Sequence, residues 1–236
     1  MARNRSAWFG FRISIVRAWV KRLMASDRPH TLRLGMDFRN STHLNDERLK
    51  GMCLRAIDGW PHDRLTVRIR YSRGSEFSGS CYYQTHRIFV NLGRENRYPY
   101  KLLTHIARPR SNRTHWWREL YSVDIANPEQ LVLFVFLHEY YHWLVKQARR
   151  NVRQKEGRCD RYATRVLVDD YGAVVRDSHG KPVPRDAWDF QDLEGFVAAA
   201  RGKRPVLRRP PVEPKAPDVA ARSPKPSETG FLPFQS

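Results

Sequence analysis

Residues 131–163 read LVLFVFLHEYYHWLVKQARRNVRQKEGRCDRYA, and seven consecutive apolar residues run directly into His138, Glu139 and His142. Burying two imidazoles and a carboxylate is costly unless each finds a partner. What those partners are decides how the rest of the chain is read.

The stretch looks strand-like by composition, but its N-terminal flank marks a helix. Asn127 is a favourable N-cap, Pro128 suits the first helical position, and Gln130 stands where a capping box needs it. A helix hydrophobic on all sides is a central, buried one. On such a helix His138 and His142 lie four residues apart and project from one face, so both can reach a single zinc ion at about 2.0–2.1 Å. Glu139 then stands on the side where a water would be activated and serves as general base. Zinc lowers the pKa of its water towards about 7 and polarises a carbonyl, which makes peptide hydrolysis feasible near neutral pH. With nine His and ten Glu in the chain, H-E-x-x-H arises by chance in only about 1.4% of such sequences. The bland alternative, two satisfied core histidines beside an unrelated carboxylate, is therefore the weaker reading.

A second helix is predicted over residues 154–172, where Glu156 and Asp160 are four apart and face the same way. Spacing alone leaves the third ligand open between them. If the chain reverses near Asn151, Asp160 is level with His142, and Glu156 sits about 6 Å nearer the turn. A loop reaching Lys155, together with glutamate's longer reach, would favour Glu156 instead.

Upstream, residues 31–38 suggest a short strand. Residues 41–60 are predicted as a helix with Leu49, Met52, Cys53, Ala56, Ile57 and Trp60 on one stripe. Leu65, Val67 and Ile69 alternate with period two, as do Ile88, Val90 and Leu92, and RGSEFSGS between them has turn chemistry. These two strands are expected to form an antiparallel hairpin. Residues 94–126 are assigned a short helix and a mobile loop. His115, Trp116 and Trp117 there are read as packing residues, with a cleft lining as the alternative. Residues 172–183 read as a small hairpin, and residues 186–203 as one closing helix.

Helix, antiparallel strands, H-E-x-x-H helix and Glu-bearing helix together resemble a minimal zincin metallopeptidase of the gluzincin type. EGRCDRYA, residues 156–163, is similar to the E-x-x-A-[ND]-x-[FY]-A stretch that follows the zinc helix in ImmA/IrrE-like peptidases. The E-x-x-x-D form also resembles membrane-bound gluzincins. No H-x-x-G-x-x-H continuation exists, which excludes a metzincin. The resemblance covers about residues 65–167. It implies an α+β, zincin-like fold, with an antiparallel strand hairpin packed on the buried H-E-x-x-H helix. It also implies one Zn2+ per chain held by His138, His142 and Glu156, with Asp160 accepting a hydrogen bond from a ligating imidazole. Ile88, Phe89, Val90 and Asn91 of RIFVNLG would be the edge strand that pairs with an extended protein or peptide substrate.

Composition bounds the remaining classes. At 236 residues and 41% hydrophobic content the chain can bury a core. The organisation expected is a basic amphipathic helix over residues 1–26, the zincin-like domain over 27–203, and a disordered Pro/Arg-rich tail over 204–236, which holds eight of the fifteen prolines. The N-terminal helix has three readings: docking on the domain, lying on a membrane surface, or acting as a presequence. Three well-separated cysteines suggest neither a disulfide framework nor a thiolate zinc site, and point to a cytoplasmic compartment. No apolar run approaches the roughly 18–20 residues that span a bilayer. The net charge of +19, mostly arginine, suits either a solvated surface or a nucleic-acid partner. The alternative to a zinc peptidase is thus a nucleic-acid-associated protein of the same fold. It would act on DNA-bound proteins or serve as a non-catalytic metal-binding module. The oligomeric state is not legible.

Overall fold

In the computed structural model residues 35–150 and 156–198 are described. The predicted helix at 1–26 and the tail at 204–236 lie outside the described residues. The first strand, β1 (Asp37–Asn40), leads into α1 (Asp46–Ala56), whose N-cap Asn45 accepts a hydrogen bond from the Arg48 amide at 2.8 Å. All six residues of the predicted apolar stripe are buried. The chain then makes β2 (Thr66–Tyr71), β3 (Phe77–Tyr82) and β4 (Arg87–Leu92).

These form a four-stranded sheet in the order β1-β2-β4-β3. β1 runs parallel to β2, β2 runs parallel to β4, and only β3 is antiparallel to its neighbour. This corrects the expected hairpin between the two alternating strands. They do lie side by side, but in parallel, because half of the presumed turn is itself a strand. Residues Phe77–Ser80 belong to β3, which carries the chain back before β4 begins. A Gly/Ser-rich strand is tolerated there because β3 is an edge, half-buried along most of its length. The predicted inward phase holds: Val67, Ile69, Ile88, Val90 and Leu92 are buried.

Residues 94–126 contain no helix, which corrects the second expectation. They form β5 (Tyr100–Thr104), the short ribbon β6 (Arg110–Ser111) and β7 (Trp116–Trp117), and β8 (Tyr121–Ile125). β5 pairs antiparallel with β8, and β6 with β7. The alternation of buried Leu102 and Thr104 with exposed Lys101 and Leu103 is a strand period.

Helix α2 (Pro128–Gln147) starts as its flank predicts. The Asn127 side chain accepts from the Gln130 amide at 2.9 Å, and the Gln130 side chain accepts from the Ala126 amide at 2.8 Å. Residues Leu131–Leu137 are all buried. The helix packs between β3 and β4 on one side and α3 (Glu156–Tyr171) on another, with α1 also against it. Strand β9 (Val175–Arg176) begins the predicted small hairpin and also pairs with β8.

Within the described residues the expected closing helix is broken into α4 (Arg185–Trp188) and α5 (Leu193–Ala198), and its last positions, 199–203, lie outside them. The break has a cause in Arg165 of α3. Its guanidinium pairs with Asp189 and Glu194 and donates to the Gln191 carbonyl at 3.0 Å, an acceptor that a continuous helix would have used internally. Among the described residues no helix is long and apolar enough to cross a membrane. The architecture is mixed α+β, as the sequence pattern suggests.

Candidate metal centre

Two helices bring the polar groups together. On α2 the rings of His138 and His142 stand 4.9 Å apart, and their Nε2 atoms are 3.2 Å apart. Glu156, the first residue of α3, reaches both. One carboxylate oxygen lies 3.1 Å from His138 Nε2, and the other 3.3 Å from His142 Nε2. A tetrahedral ion with bonds of about 2.0 Å places its ligand atoms about 3.3 Å from one another. The two Nε2 atoms and the Glu156 carboxylate therefore already have the mutual spacing that one zinc-sized cation requires.

Asp160, one turn further along α3, stands behind the first imidazole. Its Oδ1 lies 2.8 Å from His138 Nδ1, and its Oδ2 accepts the His105 amide at 2.7 Å. An acceptor at Nδ1 places the ring's proton there and leaves Nε2 with its lone pair facing the cluster. His142 lacks this support: its buried Nδ1 has no hydrogen-bond partner among the described residues.

The charges agree with a cation at this point. Burial alone would drive His138 towards neutrality, but hydrogen bonds to Asp160 and Glu156 outweigh it and raise its pKa to about 10. Glu156 is held well below the usual carboxylate range, first by its hydrogen bonds to His138 and His142. Positive charge is stabilised here, whether it resides on a proton or on a metal.

Cys159 complicates the ligand set. It is fully buried, and its sulfur and a nitrogen of each histidine all lie within 4.8 Å of one another. Glu156 is the third donor whose oxygens meet the ligand spacing, at 3.1 and 3.3 Å, while the thiol is placed only within 4.8 Å of the histidine nitrogens.

Glu139 lies to the side of the cluster, over the sheet. Its carboxylate rests on Gly79 of β3, so closely that a Cβ there would be 2.4 Å from Oε1 and 2.7 Å from Cγ. With Glu139 in this position only a glycine leaves room for it; any Cβ there would displace the carboxylate. Burial raises the Glu139 pKa, the two histidines oppose that shift, and Glu156 adds to it. A raised carboxylate is suited to taking up and returning a proton.

The edge-strand expectation needs correction. Ile88, Phe89, Val90 and Asn91 lie on β4, which is paired on both sides, with β2 and with β3. Ile88 and Val90 point into the core, and Asn91 is engaged with Ser78 and Arg70. Among the described residues the edges of this sheet are β1 and β3, and β3 is the one that touches Glu139.

Sequence reasoning missed Gly79, Cys159, His105 and Tyr83. Tyr83 follows β3, and its hydroxyl pKa is raised to about 12, by burial first and then by Cys81, Glu139, Cys159 and Glu156. The S-G-S triplet inside an otherwise pairing strand was the one available signal for Gly79. Comparison with protein-family models, with curated proteins and with solved structures finds no match to this chain.

Proposed function

We propose that the chain is a zinc-dependent peptidase of zincin-like architecture. The observation that carries this reading is the convergence of His138, His142 and Glu156 at 3.1–3.3 Å, with Glu139 beside them and an edge strand against Glu139. His138, His142 and Glu156 would hold the ion, and Asp160 would orient His138. A zinc ion so held supplies a Lewis acid that polarises a carbonyl and acidifies water.

The chain's own residues do the rest. An extended polypeptide adds beside β3 through main-chain hydrogen bonds, which brings one of its peptide bonds alongside Glu139. Glu139 accepts a proton from the attacking water at its carboxylate and returns it to the departing amine. Its burial against Gly79 raises its basicity and fixes its position.

The test is Glu139→Gln. The amide occupies the same space but cannot accept a proton, so zinc content and fold should persist while cleavage of an unfolded protein substrate stops. Cleavage by that variant at the wild-type rate would remove Glu139 from the mechanism.

One observation favours a second reading, a non-hydrolytic metal-binding module, because Cys159 stands near both histidines. A thiolate ligand would close the open position that hydrolysis needs. Cobalt substitution separates the two. A thiolate-to-cobalt charge-transfer band lost in Cys159→Ser supports the closed site, and its absence supports the peptidase.

A further inference from the structure

Residues 108–117, RPRSNRTHWW, are exposed without exception. They form the distal ribbon β6–β7 beyond the β5–β8 ladder, and Trp116 is 72% exposed and Trp117 45%. Large indoles left in water on a two-pair ribbon contribute nothing to the core, and surface aromatics of this kind mark interaction sites.

The surroundings of the indoles say what they meet. The ten residues include three arginines, no carboxylate and, beyond Pro109, no aliphatic side chain. The next acid along the chain, Glu119, is paired with Arg110 at 3.1 Å. Arg113, at the tip, has no hydrogen bond or ion pair among the described residues, and Asn112 holds the tip by accepting the Thr114 and His115 amides. Adjacent residues on a strand face opposite sides, so Trp116 and Trp117 offer two separate ring faces. Leu103 on β5 and Leu120 before β8 are exposed at the ribbon's base, but the ribbon itself carries none of the Leu, Ile, Val or Met that an apolar protein interface presents. Arginine with exposed indoles, on a chain of net charge +19, matches phosphates with unpaired bases.

We propose that the β6–β7 ribbon binds single-stranded nucleic acid, with Trp116 and Trp117 stacking on bases and Arg113 contacting phosphate. The ribbon's base is fastened beside the candidate metal centre. Arg118 donates to the His105 carbonyl at 2.8 Å, and the His105 amide donates to Asp160. A bound strand therefore lies next to the start of α3, on a sheet separate from β3. The proposal does not depend on hydrolysis.

The experiment measures fluorescence anisotropy of a labelled oligothymidylate and of a duplex, with the full chain, across a salt series. The single strand is expected to bind at least about tenfold more tightly than the duplex, because a duplex hides its base faces. Trp116→Ala and Trp117→Ala should each weaken single-strand binding by about tenfold without changing the salt slope. Arg113→Ala should reduce that slope by about 0.7, the contribution of one phosphate contact. Circular dichroism confirms that the variants fold. Tryptophan variants that bind the oligonucleotide like wild type, or a duplex bound equally well, would overturn the proposal. It also falls if the tryptophan variants impair only polypeptide cleavage, which would make the ribbon a protein-binding element.

Discussion

Helix α2 and the β6–β7 ribbon break the inside–outside rule in opposite directions. The helix carries ionisable groups inward, His142 buried and His138 and Glu139 half-buried, while the ribbon carries tryptophans out into water. For the helix the compensation is intramolecular: Asp160 meets one imidazole, Glu156 meets both, and Gly79 makes room for Glu139. For the ribbon no compensation exists within the described residues. A buried charge must be answered by the fold itself, whereas an exposed apolar ring can wait for a partner. The helix is thus a site already assembled, and the ribbon is a surface still to be covered.

The largest effect that sharpens this contrast is expected at Glu156. Removing its carboxylate in Glu156→Ala should weaken zinc affinity by more than the roughly 10- to 100-fold expected for Asp160→Ala, which loses only the acceptor behind His138. Competition with a chelating dye measures both. If Asp160→Ala is the more damaging, the roles of the two carboxylates are reversed.

Gly79→Ala addresses the base without touching the metal. The added methyl claims the space of the Glu139 carboxylate, and the carboxylate, at the end of a flexible side chain, is what must move. A displacement of about 1 Å can cost about 100-fold in rate. Hydrolysis should fall by that order with zinc content unchanged. Full activity in this variant would show that the close approach has no role in the chemistry.

The smallest effects concern stability and compare the two regions directly. Leu137→Ala, in the buried turn before the motif, should cost about 2–5 kcal/mol. Trp116→Ala should stay within about 0.5 kcal/mol of wild type, despite removing a far larger side chain. Urea denaturation midpoints decide it. A loss above about 1 kcal/mol at Trp116 would mean that the ribbon packs and does not await a partner.

What the sequence made legible was local. The Asn127 cap, the one-turn spacing of His138 and His142, and the apolar stripe of α1 all depend on residues within a few positions of one another. The alternation of Val67 and Ile69, and of Ile88, Val90 and Leu92, set which faces turn inward. It did not set the pairing direction, because period two is the same in parallel and antiparallel sheets. The first four residues of β3, Phe77–Ser80, read as a turn because what Gly79 accommodates is the Glu139 carboxylate, distant in sequence. The choice between Glu156 and Asp160 was open for a similar reason. It turns on where α3 begins against α2, and on His105 reaching Asp160 from the end of β5. The ribbon was missed because exposed tryptophans in an arginine-rich stretch carry no periodicity that distinguishes a strand from a loop.

The central claim is that His138, His142 and Glu156 form one cation site. The most direct measurement is metal content of the purified full chain by atomic emission, alongside the double variant His138→Ala/His142→Ala. The account predicts about one zinc per wild-type chain and none in the double variant, which is left with too few ligands. Stoichiometric zinc persisting in the double variant, or none in the wild type under zinc-replete purification, would contradict it.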